Sequence, residues 1–302
     1  MFKNLTLYRI STGWTATIKS LEEALQRARF LECRPTQESS TGWTEPRGNE
    51  HGALVEAVGG QWILKFMIET RLLPASVVRR EVNARLEKIE AASGRKPGRM
   101  AGKEIREQVV SELLPRAFTR QSPVNVWIDP RAHLLAIDTT TKARLDEVLT
   151  GLIRSLDRFN LALLQTKQSP GAAMAQWLTE RTAPGSFDLD RECELKSTDD
   201  NQSAVRYSRH ALDIAEIRKH VEAGKMPTRL GMLWTDKLSF VLTEAMQLKK
   251  IRFIDGAMKE QAGDDDDRFD ADVAIATGEL GRLIPELIKA LGGEAALLDP
   301  VA

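Results

Sequence analysis

The sequence predicts an α+β fold, in which strands and helices occupy separate stretches of the chain. Strand-like segments follow one another across turn residues, as at Gly59-Gly60 within "EAVGGQWILKF". Helix-period apolar stripes form blocks of their own, of which the longest lies between residues 75 and 114. With 302 residues and 42% hydrophobic content, the chain can form two or three compact modules.

The first seventy residues predict strands around one helix. "FKNLTLYRI" alternates like a strand, and "SLEEALQRARF" places Leu21, Leu25 and Ala28 at helical spacing. Ser20 is the expected N-cap of this helix, because Glu23 follows three residues later as in a capping box.

Residues 75–114 predict a helical hairpin. Apolar residues recur at helical spacing in two runs, Val78, Val82, Leu86 and Ile89 in the first and Ile105, Val109 and Leu113 in the second. The glycine- and proline-containing segment "SGRKPGRMAG" separates the runs. Each arm, at about 20 Å, is long and thin, so we expect the hairpin to project from the body.

Beyond the hairpin the sequence predicts further strands and helices. Strands are predicted in "VNVWID" and "HLLAIDTT", with Pro130 in the turn between them, and helices in "KARLDEVLTGLIRSL" and "AAMAQWLTE". Strands in "ECELKS" and "AVRYSRHAL" follow, and then a helix in "DIAEIRKHVEAGK" whose inner face carries Ile214, Ile217 and Val221. A meander of strands runs from "RLGMLWT" to "LKKIRFID". An acidic loop in "GDDDDRFDAD" and a strand in "VAIAT" follow. The last helix is "GELGRLIPELIKALGG", with Gly292 as its cap and Pro285 as a kink or a late start.

Charge is balanced over the whole chain but not along it. The sequence has 43 Lys and Arg against 43 Asp and Glu. Residues 71–120 hold twelve basic and six acidic residues, whereas residues 255–302 hold four basic and twelve acidic residues. A neutral protein with this distribution can present a positive surface on one side.

Composition and termini predict a cytoplasmic protein without membrane association. No apolar run approaches the ~18 residues of a membrane span, and the first residues lack the apolar segment of a signal peptide. Cys33 and Cys193 have no metal-type spacing and indicate no disulfide framework, as expected in a reducing compartment.

The hairpin loop is the first candidate site. Arg95, Lys96 and Arg99 lie in the loop, and Lys103 and Arg106 follow on the second arm. Several cations on a projecting element suit a phosphate backbone, because each neutralised phosphate releases counterions. A solvated basic loop with no partner is the alternative.

Phe118 lies between Arg116 and Arg120, at the junction of the hairpin and the next strand. Its ring could be buried under the hairpin, stack on an unpaired base, or fill a pocket of another subunit. The residue pattern alone leaves these three alternatives open.

The segment "DLDRECELKS" is the third candidate. Asp188 or Asp190, together with Glu194 and Lys196, resembles the carboxylate and Glu-x-Lys set of magnesium-dependent nucleases. A solvated strand edge is the alternative. The run from Asp264 to Asp267 could likewise bind a cation or form a solvated loop. The four histidines have no ligand spacing, and no phosphate-binding loop, dinucleotide fingerprint or nucleophile elbow is present.

Several longer motifs carry a resemblance to one family. "FKNLTLYRIS", "TGWTEPRG", "LLPRAF", "VWID", "HVEAGK", "RFDAD", "TGEL" and "LGGEA" occur in this order, from Phe2 to about Ala295. In these motifs the chain resembles the bacterial recombination-associated RdgC family over essentially its whole length.

The resemblance implies a DNA-binding protein that is not an enzyme and needs no cofactor. It implies a ring-shaped homodimer with a positively lined hole, which encircles double-stranded DNA without sequence preference and also binds single strands. Such a protein is nucleoid-associated and limits RecA-promoted strand exchange in recombination and replication. The monomer is expected to be a horseshoe, with a central α/β part at 1–74 and 120–170, a helical tip at 75–119 and a base at 171–302.

The resemblance also assigns roles to single residues. "LLPRAF" places the family's ring-closing aromatic at Phe118, which favours a plug into the other subunit. Arg209 and His210, in "RYSRHAL", are the expected opposing surface. Arg116 and Arg120 join the loop cations as expected DNA contacts. A magnesium-dependent nuclease and a protein-interaction module with merely solubilising charges are the alternatives.

Overall fold

The computed structural model describes residues 1–197, 203–212, 215–254 and 265–296. Over these residues the fold is α+β, as predicted, with seven α-helices and two antiparallel sheets. The helices are α1 (Ile18–Gln26), α2 (Ala75–Ser93), α3 (Arg99–Leu113), α4 (Lys142–Ser155), α5 (Pro170–Glu180), α6 (Ala215–Glu222) and α7 (Asp265–Ala290). In the described part of the chain, none of them is both long enough and apolar enough to span a bilayer.

The first sheet contains the strands of the N-terminal half. They are β1 (Thr6–Ile10), β2 (Ser39–Thr44), β3 (Glu56–Val58), β4 (Gln61–Arg71), β5 (Thr119–Asp129), β6 (Leu134–Ile137) and β7 (Leu161–Leu163). Their order is β2-β4-β5-β6-β1-β7, and β3 pairs with β4 across the predicted Gly59-Gly60 turn. One face packs on α1 and α4 through a core that includes Trp43, Phe66 and Leu152. The long β4–β5 pair extends to Arg71 and Thr119, which are the two ends of the hairpin segment.

The second sheet is the predicted meander with two further strands. Its strands are β8 (Phe187–Ser197), β9 (Ala204–Ser208), β10 (Lys225–Trp234), β11 (Leu238–Thr243) and β12 (Leu248–Phe253), in the order β12-β11-β10-β8-β9. Its inner face carries Leu230, Met232 and Phe240, which join one core cluster with α5 and α7. The same cluster includes Phe2 and Trp127 of the first half, so the two sheets share apolar packing.

Polar contacts also join the two halves of the chain. Leu5 donates its N–H to the Leu248 carbonyl at 2.7 Å and accepts the Leu248 N–H at 3.0 Å. Arg9 makes two hydrogen bonds with the Glu294 carboxylate, at 2.8 and 2.7 Å. The N-terminal strand is therefore bound to elements that end the chain.

The helical hairpin is confirmed, with α2 and α3 as its arms. At 1.5 Å per residue, the 19 residues of α2 and the 15 of α3 give lengths of about 28 and 22 Å. The main contacts of these helices are with each other. Val78 and Val109 are buried, whereas Ile89 is 41% exposed. The apolar stripe therefore holds the foot of the hairpin better than its tip.

Three local predictions are wrong. The N-cap of α1 is Thr17 and not Ser20, which is the N3 residue that completes the capping box with Thr17. "VAIAT" is not a strand, because it lies inside the 26-residue helix α7. The described end of the predicted acidic loop is helical as well. Of the two alternatives for Pro285, the late start is excluded, because Pro285 lies inside α7. The prediction for Ile214 lies outside the described residues.

Candidate nucleic-acid interface

The hairpin presents its cations to solvent. Side chains of all five predicted residues, Arg95, Lys96, Arg99, Lys103 and Arg106, are exposed. The loop is formed where Gly94 ends α2 with a left-handed φ of 67° and Gly98 caps α3. Lys103 is only loosely paired with Glu107, at 3.7 Å with both side chains largely exposed. These charges are thus free to contact a ligand.

One ion pair holds the two arms of the hairpin together. The Arg85 guanidinium on α2 donates to both oxygens of the Glu112 carboxylate on α3, at 3.1 and 2.6 Å. The hydrogen bond from Arg85 lowers the pKa of Glu112. Sequence reasoning missed further exposed cations on α2, among them Arg79 and Arg80, which line a surface groove. The basic count of residues 71–120 includes them, but no motif marks them.

Phe118 lies on the surface at the foot of the hairpin. Its side chain is 85% exposed, so the interpretation as a ring buried under the hairpin is wrong. Its carbonyl accepts the N–H of Leu72 at 2.7 Å, and Leu72 is 44% exposed. Arg116 and Arg120 are exposed on either side. An exposed ring among cations remains compatible with a partner subunit or with a stacked base.

A single arginine fixes the backbone on which Phe118 is mounted. The Arg71 guanidinium donates to the carbonyls of Leu114 and Ala117, at 3.2 and 3.0 Å. It also donates to the carbonyls of Cys33 and Arg34, each at 3.2 Å. The turn before the phenylalanine is thus tied to the loop that precedes β2.

A buried carboxylate supports the same junction. Glu69 of β4 is 2% exposed and accepts hydrogen bonds from the Cys33 N–H and from the Gln121 side chain. Burial alone would raise the pKa of Glu69, but these hydrogen bonds and one from Thr119 lower it. The foot of the hairpin is therefore rigidly connected to the first sheet.

Arg209 and His210 follow β9 of the second sheet, and both are exposed. Arg209 has a left-handed φ of 56°, and the His210 ring lies 6.3 Å from the ring of Tyr207. The structure describes one chain, so the pairing of these residues with Phe118 of a second chain stays a prediction.

Glu194 is the centre of an ion-pair cluster. Its side chain is 5% exposed and lies 2.6 Å from Arg206, 3.8 Å from Arg229 and 3.6 Å from Lys196. The Thr228 hydroxyl donates to it at 3.1 Å. Burial alone would raise the pKa of Glu194, but the Thr228 hydrogen bond and the two guanidinium charges lower it.

This arrangement does not fit a magnesium site. Cations already occupy the Glu194 carboxylate, and Asp188 lies further along β8, opposite Leu233. Among the described residues, no three acidic, His or Cys side chains form a group that could hold a metal. Asp264 lies outside the described residues. Further along the acidic run, Asp266 and Asp270 pair with Arg47, at 3.4 and 2.6 Å.

The open face of the second sheet is a second basic surface, which sequence reasoning missed. Arg206, Glu194, Arg229 and Thr243 are paired in one row across β9, β8, β10 and β11, so their side chains share a face. Lys249 of β12 is paired with Val241, which lies two residues before Thr243 on β11, so its side chain is on the same face. Burial first and then the Arg229 charge lower the pKa of Lys249. The sequence does contain a signal for this surface, because basic residues alternate with apolar residues along several of these strands.

The fold and these surfaces define a class of protein: a two-sheet α+β chain with exposed cations on a helical hairpin and on one open sheet face. The chain belongs to the RdgC family. The family model described as "Putative exonuclease, RdgC" matches residues 1–294. The resemblance found in the sequence motifs is thereby confirmed.

Relatives with the same name cover the whole chain. A "Recombination-associated protein RdgC" of Dechloromonas aromatica is 46% identical over 300 residues, which are 97% of this chain and 98% of the relative. The protein of that name from Herminiimonas arsenicoxydans is 44% identical, over 98% of this chain and 99% of the relative. The one from Bordetella pertussis is 40% identical, over 97% and 98%.

Proposed function

We propose that the protein binds DNA without sequence preference and acts in recombination by occupying DNA. In this proposal it works as a ring-shaped homodimer of horseshoe monomers, encircles double-stranded DNA and also binds single strands. It is nucleoid-associated and limits RecA-promoted strand exchange by denying RecA its substrate. The family membership and the names of the relatives support a role in recombination.

The distribution of charge is the observation that carries the proposal. The chain has no net charge, yet residues 71–120, which include the hairpin, hold twelve basic against six acidic residues, and the loop cations are exposed. The open face of the second sheet carries further exposed cations, among them Arg206 and Arg229. Phosphates are bound through such concentrations, because local potential and counterion release matter more than the average charge. The exposed ring of Phe118 supplies a candidate contact for closing the ring.

We propose that the protein binds DNA and does not cleave it. The description of the family model contains the word exonuclease. The one nuclease-like set that the sequence offers has its central carboxylate, Glu194, paired with arginines and a lysine. A carboxylate held in this way is a poor ligand for magnesium, because the cations would have to be displaced first.

A salt titration of binding to a random-sequence duplex tests the proposal. We expect log Kd to depend linearly on log salt, with a slope that changes by about 0.9 for each phosphate contact. Replacing Arg95, Lys96 and Arg99 by Gln should lower the slope by up to about 2.7. The matched control replaces Arg144, Arg154 and Arg158, which are exposed on and just after α4, outside both basic surfaces. A wild-type protein that binds no DNA at low salt would favour the protein-interaction module.

A further inference from the structure

A cleft on the open face of the second sheet collects charged side chains from β8, β9 and β12. Its volume is about 450 Å³. The charged residues that line it are Asp190, Arg191, Glu192, Arg209, Lys250 and Arg252. Four cations face two carboxylates, so the cleft has an excess of positive charge.

Two irregular strands form the cleft. On β8, Leu189 is paired with Met232 and Cys193 with Leu230, so residues 190–192 form a bulge opposite Gly231. A Cβ at position 231 would lie 3.2 Å from the Cβ of Glu192, which is a tight contact that glycine avoids. The floor between the bulge and β11 is therefore open.

The second bulge is on β12. Between the pairs Ser239–Arg252 and Val241–Lys249, β12 has one residue more than β11. Lys250 lies in this bulge with a left-handed φ of 53°. Arg209 at the end of β9 is left-handed as well. Long side chains rarely adopt this backbone, and such positions cluster at functional sites.

The charges in the cleft are unequally paired. Lys250 donates to both oxygens of Glu192, at 2.5 and 2.7 Å. Arg191, Arg209 and Arg252 have no ion-pair partner among residues 1–197, 203–212, 215–254 and 265–296. Arginine presents a planar set of donors that matches phosphate oxygens. Phe240, the one aromatic ring in the described lining, is 2% exposed, so the cleft cannot stack a base.

We propose that this cleft binds a backbone phosphate of a DNA strand, through Arg191 and Arg252. Glu192 is a built-in competitor of the phosphate, because it occupies Lys250 and repels an incoming anion. The cleft is thus a phosphate contact on the second sheet, separate from the hairpin. The inference rests on the proposed function, since it specifies where on the chain DNA is held.

Two variants with opposite effects test the assignment, by fluorescence anisotropy with a mixed-sequence single strand and the matching duplex. Arg191→Gln with Arg252→Gln should weaken binding about tenfold or more and lower the salt slope by up to about 0.9 on duplex and 0.7 on single strands, which is the loss of one phosphate contact. Glu192→Gln should tighten binding, because the carboxylate that repels the phosphate is removed and Lys250 becomes available. Damage to the fold could not produce this gain.

The matched control for the double variant is Arg144→Gln with Arg154→Gln, which removes two exposed arginines from α4. If the wild type binds DNA and the cleft variant binds like this control, the cleft assignment is wrong and the proposed function stands. If the wild type binds no DNA, both fail. Thermal melting with inorganic pyrophosphate is a further test of the cleft. If pyrophosphate raises the melting temperature of the wild type but not of the cleft variant, while both bind DNA equally, the site serves free phosphates and the DNA assignment is overturned.

Discussion

Replacing Phe118 by alanine distinguishes a residue that contacts another chain from a residue that supports its own fold. The side chain is 85% exposed, so it contributes little to the stability of the single chain. Full burial of a phenylalanine contributes about 1.5–3 kcal/mol. Most of that free energy therefore remains to be gained when the ring enters a partner's pocket, and we estimate about 2 kcal/mol for the contact.

The expected result is a weaker dimer with an unchanged monomer. A homodimer contains the contact twice, so the loss is about 4 kcal/mol, which corresponds to a dimer dissociation constant roughly 1,000-fold higher. Sedimentation equilibrium measures that constant, and thermal melting reports on the fold. The variant should also leave covalently closed circular DNA faster than the wild type after a salt challenge, because a ring opened at one end can escape.

Met100→Ala is the matched control, because Met100 is a large apolar residue at the hairpin tip and is 71% exposed. It should change neither the dimer nor the retention on circles. The reasoning is refuted if Phe118→Ala dimerises and retains circles like the wild type. A fall in the melting temperature that does not depend on protein concentration would show instead that the ring packs within its own chain.

Three further predictions concern the fold and the chemistry. Gly42→Ala should destabilise the protein by about 1–3 kcal/mol in urea unfolding, because the new Cβ would lie 2.6 Å from the Cα of Phe30. Its control, Gly102→Ala on the open side of α3, should be neutral or stabilising. Equal effects of the two substitutions would contradict the packing. Glu194→Gln should cost about 1–3 kcal/mol at neutral pH. The pKa of Glu194 is lowered in the folded state, so its ionised carboxylate stabilises the fold above the ordinary carboxyl range, and this stabilisation is lost as pH falls through the lowered pKa. The free energies of unfolding of wild type and variant should therefore converge in acid. A constant difference across that pH range would contradict the lowered pKa. Plasmid incubated with pure protein and Mg²⁺ should remain unnicked, and nicking that Glu194→Gln abolishes would restore the nuclease interpretation.

The antiparallel elements could be predicted because each depends on a local pattern. The turn at Gly59-Gly60 has positive φ at both residues, 59° and 84°, which glycine adopts readily. The hairpin arms follow from apolar spacing and from Gly94, which ends α2. Residues that are close together in the sequence determine these features, so the sequence alone predicts them.

Other elements depend on contacts that a local pattern does not show. "VAIAT" has the β-branched residues of a strand, but Val273 and Ala276 are fully buried in the core that α7 shares with the second sheet. Tertiary packing therefore overrides a local strand preference there. The N-cap prediction failed because both Thr17 and Ser20 can cap, and only the path of the preceding chain selects Thr17.

The candidate site was predicted only where its charges are consecutive. The basic loop and Phe118 could be found in the sequence, and the structure places their side chains in solvent. The second basic surface could not, because Arg206, Arg229 and Lys249 come together only when the order β12-β11-β10-β8-β9 is known. The same order brings Arg206 and Arg229 to Glu194, which makes this carboxylate the centre of an ion-pair cluster.

The pairing of Leu5 with Leu248 has a consequence for biosynthesis. A ribosome that has released the first strand must add about 240 more residues before the partner of Leu5 exists, and Glu294 follows later still. Contacts so distant in sequence slow folding and leave apolar surface open to aggregation in the meantime. A nascent chain halted before β12 should therefore be a client for chaperones, and full-length protein should acquire its native protection from hydrogen exchange only after release.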